Sequence, residues 1–346
     1  MFVSNSIRVI LLVLVCLLVH VPATAQVKMP TIQFTDRKLA NGLRVISSTD
    51  HSSPTVAIQV WYHVGSKDDP EKRSGFAHLF EHMMFKSTKN MQSEMLDRLT
   101  EDIGGVNNAF TSDDVTVYHE VVPSNYLETL IWAEAERLGG LNVDDLNFKS
   151  ERAVVIEEFR ESVLTPPYGR FEFLLQERSF VDHPYKRPTI GSIEDLEAAS
   201  LKDVQNFHSS YYRPDNATLV VVGDFDPQQL DVWVNKYFGS VPKPQNAVNR
   251  ISTNESPRVR EKKITEYGTN DLPAIALTYI TPRQSNPDSE ALQIAESLLS
   301  MGESSRLYHE LVYKQQLAAE VEASAELRED VSLFVVTAVL SEGKNV

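Results

Sequence analysis

The amino-acid sequence predicts an α+β chain of two layered domains, the second opening like a repeat of the first. Three observations carry this. A length of 346 residues suits about two domains of ordinary size. A hydrophobic content of 42% is that of a globular protein able to bury a core. Period-two and helix-period segments interleave without a strict βαβ alternation, which favours α+β layers.

Taken in order, residues 31–50 read as a short opening, with Asn41-Gly42 as a turn and residues 43–46 as a strand. Residues 55–64 alternate and are β-branched or aromatic, a second strand. Residues 75–85 have helical spacing, with Ser74 as the expected N-cap. A helix over 93–103 stops at Gly104-Gly105. Residues 107–118 read as a strand broken by a polar turn at Ser112, Asp113 and Asp114. Helices follow over 124–138 and 146–164, the latter ended by Pro166-Pro167. A helix over 196–211, a buried-type strand over 217–222 and a helix over 227–238 complete the first domain, 26–241. Residues 242–257 are rich in Pro, Asn and Ser without periodicity, so 242–258 is the expected linker. The second domain, 259–346, then reads strand 274–279, helix 289–299, helix 304–315 and strand 331–340.

The N-terminus reads as a signal peptide over 1–25. Arg8 precedes an apolar run, 9–19, and Ala23-Thr24-Ala25 offers a cleavage site. That run is short for a membrane span. Val15 before Cys16 argues against a lipid anchor, which wants a small residue there. No other stretch is long and apolar enough to cross a bilayer. The expectation is an exported chain, periplasmic or secreted, with no membrane span after cleavage. Cys16 is the only cysteine, so any metal must be held by His and carboxylate. A formal charge of −15 argues against a nucleic-acid binder, which would carry a basic face.

The string His78-Leu79-Phe80-Glu81-His82 puts two imidazoles four residues apart on one helix face. Imidazole suits zinc, and Glu81, on nearly the same face, can act as general base on a water that the metal activates. A catalytic zinc needs a third protein ligand and an open position. The candidates lie in the glutamate-rich helix over 151–158. Glu151 and Glu158 share a face, while Glu157 is about 100° away from Glu158. Glu158 is expected as third ligand and Glu151 as an outer partner holding a histidine or the water. Glu157 and Glu161 are expected to face solvent. The inverted H-x-x-E-H order occurs among zinc-peptidase signatures.

These residues resemble the pitrilysin and insulinase family of metallopeptidases, in its processing-peptidase-like branch. His78, Glu81 and His82 match its inverted zinc motif, and Glu158 and Glu151 match its later glutamates. Gly104-Gly105-Val106-Asn107-Asn108-Ala109-Phe110-Thr111 resembles the family's substrate-strand segment. His183-Pro184-Tyr185, Ile190-Gly191, Tyr211-Tyr212-Arg213-Pro214, Val221-Val222-Gly223-Asp224 and Ser304-Ser305-Arg306-Leu307-Tyr308 resemble further landmarks.

The resemblance implies a clamshell half of two similar α/β sandwich domains, one zinc ion per active subunit, and a peptide substrate in an enclosed chamber. It implies that Asn108 and Ala109 offer backbone groups to an extended peptide and that Phe110 lines a side-chain pocket near the metal. It implies a homo- or hetero-oligomer with a related subunit. Against the family's pattern the second domain looks truncated, and the family's peptide-holding arginine and tyrosine find no match here. The competing reading is a non-catalytic scaffold subunit; the full ligand set and base weigh against it. A metal-storage protein would not need Glu81, and Val222-Gly223-Asp224 lacks the glycine-rich loop of a nucleotide site.

Overall fold

A computed structural model describes residues 31–268 and 272–346. The expected signal peptide and Cys16 lie outside them. Among the described residues no helix is long and apolar enough to cross a membrane.

Six strands form the first sheet: β1 Thr35–Lys38, β2 Arg44–Thr49, β3 Thr55–Tyr62, β4 Val106–Thr111, β5 Thr116–Pro123 and β6 Ala217–Gly223. Their spatial order is β1-β2-β6-β3-β5-β4. Only β2 and β6 run parallel; the other pairs are antiparallel. The last strand in sequence thus enters beside β3, closing the sheet around long-range pairs such as Ile58 with Val221. Alternation gives the sheet two faces. Val56, Ile58, Val60, Tyr62, Tyr118 and Leu219 point into the core. Trp61, Val106, Phe110, Val121 and Val222 lie on the other face and are exposed.

Eight helices accompany this sheet among the described residues: α1 Phe76–Met83, α2 Met95–Glu101, α3 Leu127–Gly140, α4 Asp145–Phe159, α5 Gly169–Ser179, α6 Ile193–Glu197, α7 Leu201–Tyr211 and α8 Pro227–Tyr237. All but α5 contribute to its core, and Leu175 of α5 packs on a smaller cluster. The longer helix expected over 196–211 is two pieces, because Ser200 and Asp203 make a capping box that starts α7 afresh. Ser74 is not the cap of α1; Gly75, with φ +96°, holds that position. α5 escaped the sequence reading because its segment is polar and only weakly amphipathic. After α4 the chain loosens into a π turn, Arg160–Leu164.

The second sheet comprises β7 Ala274–Thr281, β8 Ala318–Glu326 and β9 Ser332–Leu340, in the antiparallel order β7-β9-β8. A helix, α9 Ser289–Ser300, lies between β7 and β8 in sequence. The helix expected over 304–315 has π geometry over Tyr308–Lys314. β8 was missed because Ala and Glu alternate there with little β-branched content. Residues 242–268, which include the expected linker, form no helix or strand but are strapped down. Arg250 donates to the His63 carbonyl at 2.7 Å, and the Glu255 carboxylate accepts from the amides of Val181, Asp182 and His183.

The two sheets meet across a small apolar cluster and a polar latch. Phe180, Tyr185, Leu333 and Val335 form the cluster. In the latch, Lys67 Nζ lies 2.8 Å from Asp114, 2.7 Å from Glu329 and 3.3 Å from Asp330. Arg328 pairs with Asp113 at 2.5 Å, and the Tyr185 hydroxyl donates to Asp114.

Candidate metal centre

The helix α1 is amphipathic in a useful way. Phe76, Ala77, Leu79, Phe80 and Met83 are buried against the core, which turns His78, Glu81 and His82 to the other side. The Tyr118 hydroxyl, from β5, donates to the Phe80 carbonyl at 3.2 Å and ties the helix to the sheet. α4 runs past α1. Asp144 caps it through the Asn147 amide, and Glu151 and Glu158 face the histidines two turns apart.

His78 Nε2 lies 3.6 Å and His82 Nε2 3.2 Å from the same oxygen, Oε2 of Glu158. Among the described residues these three are the group whose donor atoms all lie within 4.8 Å of one another. The two rings stand perpendicular with centroids 4.8 Å apart. Glu81 does not join the trio; its Oε2 accepts the Thr111 hydroxyl, from the end of β4, at 2.5 Å. Glu151 is buried, and its Oε1 accepts from Lys86 at 2.8 Å and from Ser150 at 2.9 Å. Its other oxygen is 3.9 Å from His82 Nδ1, beyond hydrogen-bond length. Glu157 is exposed and pairs with Arg160, and Glu161 is also exposed.

Electrostatics separates the two histidines. Burial pushes His78 down to about 4, against the pull of Glu158, so its ring is neutral near pH 7. Burial also opposes charge on His82, but the hydrogen bond and charge of Glu158, with Glu81 and Glu151, hold its pKa above the ordinary value. The hydrogen bond from His82 lowers the Glu158 pKa, against burial. Glu81 is raised by burial, with the Thr111 bond opposing. Two imidazole nitrogens and one carboxylate oxygen are a donor set that suits zinc. His78 Nδ1 is buried without a hydrogen-bond partner, so no competing bond fixes that ring. The residues present fit the metal.

Asn108 and Ala109 lie on β4, an edge strand of the sheet. The Ala109 N–H is bonded to Asn108 Oδ1 at 2.8 Å. Phe110 departs from expectation. Thr111 faces α1, so strand alternation turns its neighbour to the opposite face, where Phe110 meets Trp61 edge-on at 6.2 Å. It does not line a pocket beside the histidines. Thr111, Lys86, Ser150 and Tyr118 were not singled out from sequence. They are ordinary polar residues that matter only through their position.

The family description "Insulinase (Peptidase family M16)" matches residues 44–192, and "Peptidase M16 inactive domain" matches 198–346. The zinc protease PqqE of Helicobacter pylori is 34% identical over 304 residues, covering 87% of this chain and 68% of that protein. The chain belongs to peptidase family M16. A solved structure similar to this chain is titled the crystal structure of a protease from Helicobacter pylori. It shares 32% identity and superposes with a TM-score of 0.88, covering 92% of this chain and 77% of that one. Cytochrome b-c1 complex subunit 1 of Rattus norvegicus is 28% identical, covering 75% of this chain and 54% of that protein. The α+β architecture with a second, smaller sheet is that of an M16 half.

Proposed function

We propose that this chain is the zinc-binding subunit of a metalloendopeptidase, with His78, His82 and Glu158 as ligands and Glu81 as general base. The observation that carries this is the meeting of both Nε2 atoms on one Glu158 oxygen while Glu81 stays apart. When bound, zinc would supply a lowered pKa for a water and polarise the scissile carbonyl. Glu81, partly desolvated and oriented by Thr111, takes the proton from that water and returns it to the leaving amine. Glu151 steadies Lys86 and the His82 side of the site. The free edge of β4 receives the peptide as an added strand. The substrate takes the Ala109 N–H now bonded to Asn108, which fits an extended or unfolded polypeptide. The M16 relatives named as zinc proteases support the chemistry. The N-terminal pattern of Arg8, an apolar run and Ala23-Thr24-Ala25 supports export. A related subunit completing an oligomer is part of this reading. The rat relative named as a complex subunit supports the alternative, a scaffold subunit, and retention of Glu81 beside the trio favours the enzyme.

The test is zinc content together with hydrolysis of an unfolded fluorogenic protein. Glu81→Gln is expected to keep its zinc and lose turnover by roughly 10²–10⁴-fold. Glu158→Gln is expected to lose zinc. Undiminished turnover in the first refutes the base, and full zinc occupancy in the second removes Glu158 from the ligands.

A further inference from the structure

The helix that carries His78, Glu81 and His82 has eight residues and no cap of its own. The first turn of a helix leaves its N–H groups without partners, and a side chain at the N-cap usually accepts one of them. Here the N-cap is Gly75, and it cannot be otherwise. Its φ of +96° disfavours any side chain, and a Cβ there would stand 2.9 Å from the Ile190 carbonyl oxygen and 3.1 Å from Gly191 Cα.

The cap is supplied from outside the helix. Asp69 accepts the Gly75 N–H through Oδ2 at 2.7 Å and the Ala77 N–H through Oδ1 at 2.9 Å. Its side chain is fully inside the protein, with 1% exposure. A buried carboxylate is costly unless it is well bonded, and burial pushes Asp69 up to about 7 although both amides favour its ionised form. The sequence therefore keeps an ionisable group in the core at this point, adjacent in chain to nothing it serves.

Asp69 is itself held in register with the substrate-side hairpin. The amides of Ser66 and Lys67 donate to the carbonyls of Ser112 and Asp113, both at 3.1 Å, in the turn between β4 and β5. Gly65 lies so close to Asp113 that a Cβ would overlap its backbone, at 2.4 Å. One short segment thus bridges the β4–β5 turn, two residues beyond Thr111, and the first turn of α1, one residue before His78.

We propose that Asp69 is a positioning residue for the metal centre: its carboxylate fixes the first turn of α1 so that His78 stays in register with His82, Glu158 and the β4 edge. This rests on His78 being a ligand, as proposed above. The first turn is the part of the helix that frays when its donors lose their acceptors, and His78 sits in that turn. His82, a full turn deeper, is held by the helix's own bonds.

The test uses the full chain with Asp69→Asn and Asp69→Glu. Ser200→Ala, which removes an ordinary cap from α7, is the control for general destabilisation. Zinc affinity is read by chelator competition, and hydrogen exchange over residues 74–84 is read on metal-free protein. Asp69→Asn is expected to weaken zinc binding about tenfold, the size of a lost cap, and to speed exchange in the first turn. Asp69→Glu is expected to restore part of both. Ser200→Ala is expected to lower the melting temperature with zinc affinity unchanged. Zinc affinity within twofold of wild type in Asp69→Asn overturns the proposal, as does an equal loss in Ser200→Ala. Should Asp69→Asn not fold, Asp69→Ser, which loses the carboxylate and keeps a single acceptor, carries the same measurement, and affinity within twofold of wild type there overturns the proposal. His78→Ala separates the two claims. Unchanged zinc binding in that variant overturns the ligand assignment, whereas binding lost there but intact in Asp69→Asn overturns only the role of Asp69.

Discussion

The region around the six-stranded sheet and the region around the three-stranded sheet are held by different means. In the first, an apolar core runs from Leu43 on β2's approach to Phe238 beyond α8, with Ile58, Val60, Phe76 and Leu79 fully enclosed. The second contributes only Leu333 and Val335 to the four-residue cluster it shares with Phe180 and Tyr185, and Leu277, Tyr279, Ile294 and Leu298 are all more than half exposed. What fastens the second sheet to the first is largely charge: Lys67 with Asp114, Glu329 and Asp330, and Arg328 with Asp113. The contrast shows where rigidity is needed. A metal centre depends on ligands held within fractions of an ångström, and the one proposed here would sit on the helix packed against the larger core. The second sheet belongs to the class of elements that open more easily, with few buried apolar contacts.

The contrast can be broken by core truncation. Ile58→Ala is expected to destabilise the protein by about 2–5 kcal/mol, the range for a large buried aliphatic residue. Leu333→Ala is expected near the low end of that range, because its surroundings can relax, and to expose 274–340 to protease while zinc binding persists. Denaturation curves and limited proteolysis read both. Equal loss of zinc binding in the two variants would show that the regions do not behave separately.

The latch offers a smaller effect. Lys67→Met leaves Asp114, Glu329 and Asp330 without their shared cation. Since Glu329 and Asp330 reach solvent, the cost is expected at about 1–3 kcal/mol, read as earlier cleavage in the turn between β8 and β9. Unchanged cleavage would mean the apolar cluster alone holds the second sheet.

The smallest effect is a pH dependence. Burial opposes charge on Glu329, but Lys67 and His63 outweigh it and hold its pKa at about 2, below the ordinary 4.5. A depressed carboxylate stabilises the fold above its unfolded pKa, and that contribution is lost as pH falls through the folded one. The stability difference between wild type and Glu329→Gln should therefore be present at pH 7 and vanish between about 4.5 and 2. A difference that persists at pH 2 would assign the effect to something other than this ionisation.

Much of the fold was legible beforehand, for reasons visible in particular elements. β3 and β6 are dense in β-branched residues that alternate or run continuously, and Asn41-Gly42 marks a turn. The helix expected over 146–164 was legible through the proline pair that bounds it, and the structure divides it into α4 and the π turn Arg160–Leu164. What escaped had weak local patterning: polar α5, the Ala and Glu of β8, and the break at Ala198–Ser200 that a capping box imposes. Phe110, implied by the resemblance to line a pocket near the metal, stands beside Trp61 on the face opposite to Thr111, and a single strand carries no mark of which face meets the helices. That is set by which neighbour, here Thr111, contacts α1.

By itself the sequence determined the helix-borne pair His78 and His82 with Glu81 between them. The four-residue spacing fixes their common face wherever the helix lies. It also determined the candidate carboxylates, because two turns of α4 bring Glu151 and Glu158 to one side. Only the tertiary structure decided that Glu158 Oε2 reaches both imidazoles, that Glu151 pairs with Lys86, and that Asp69 caps α1 from a distance. Each of those depends on how separate elements cross, and crossing is set by the packing of whole faces, which no local spacing records.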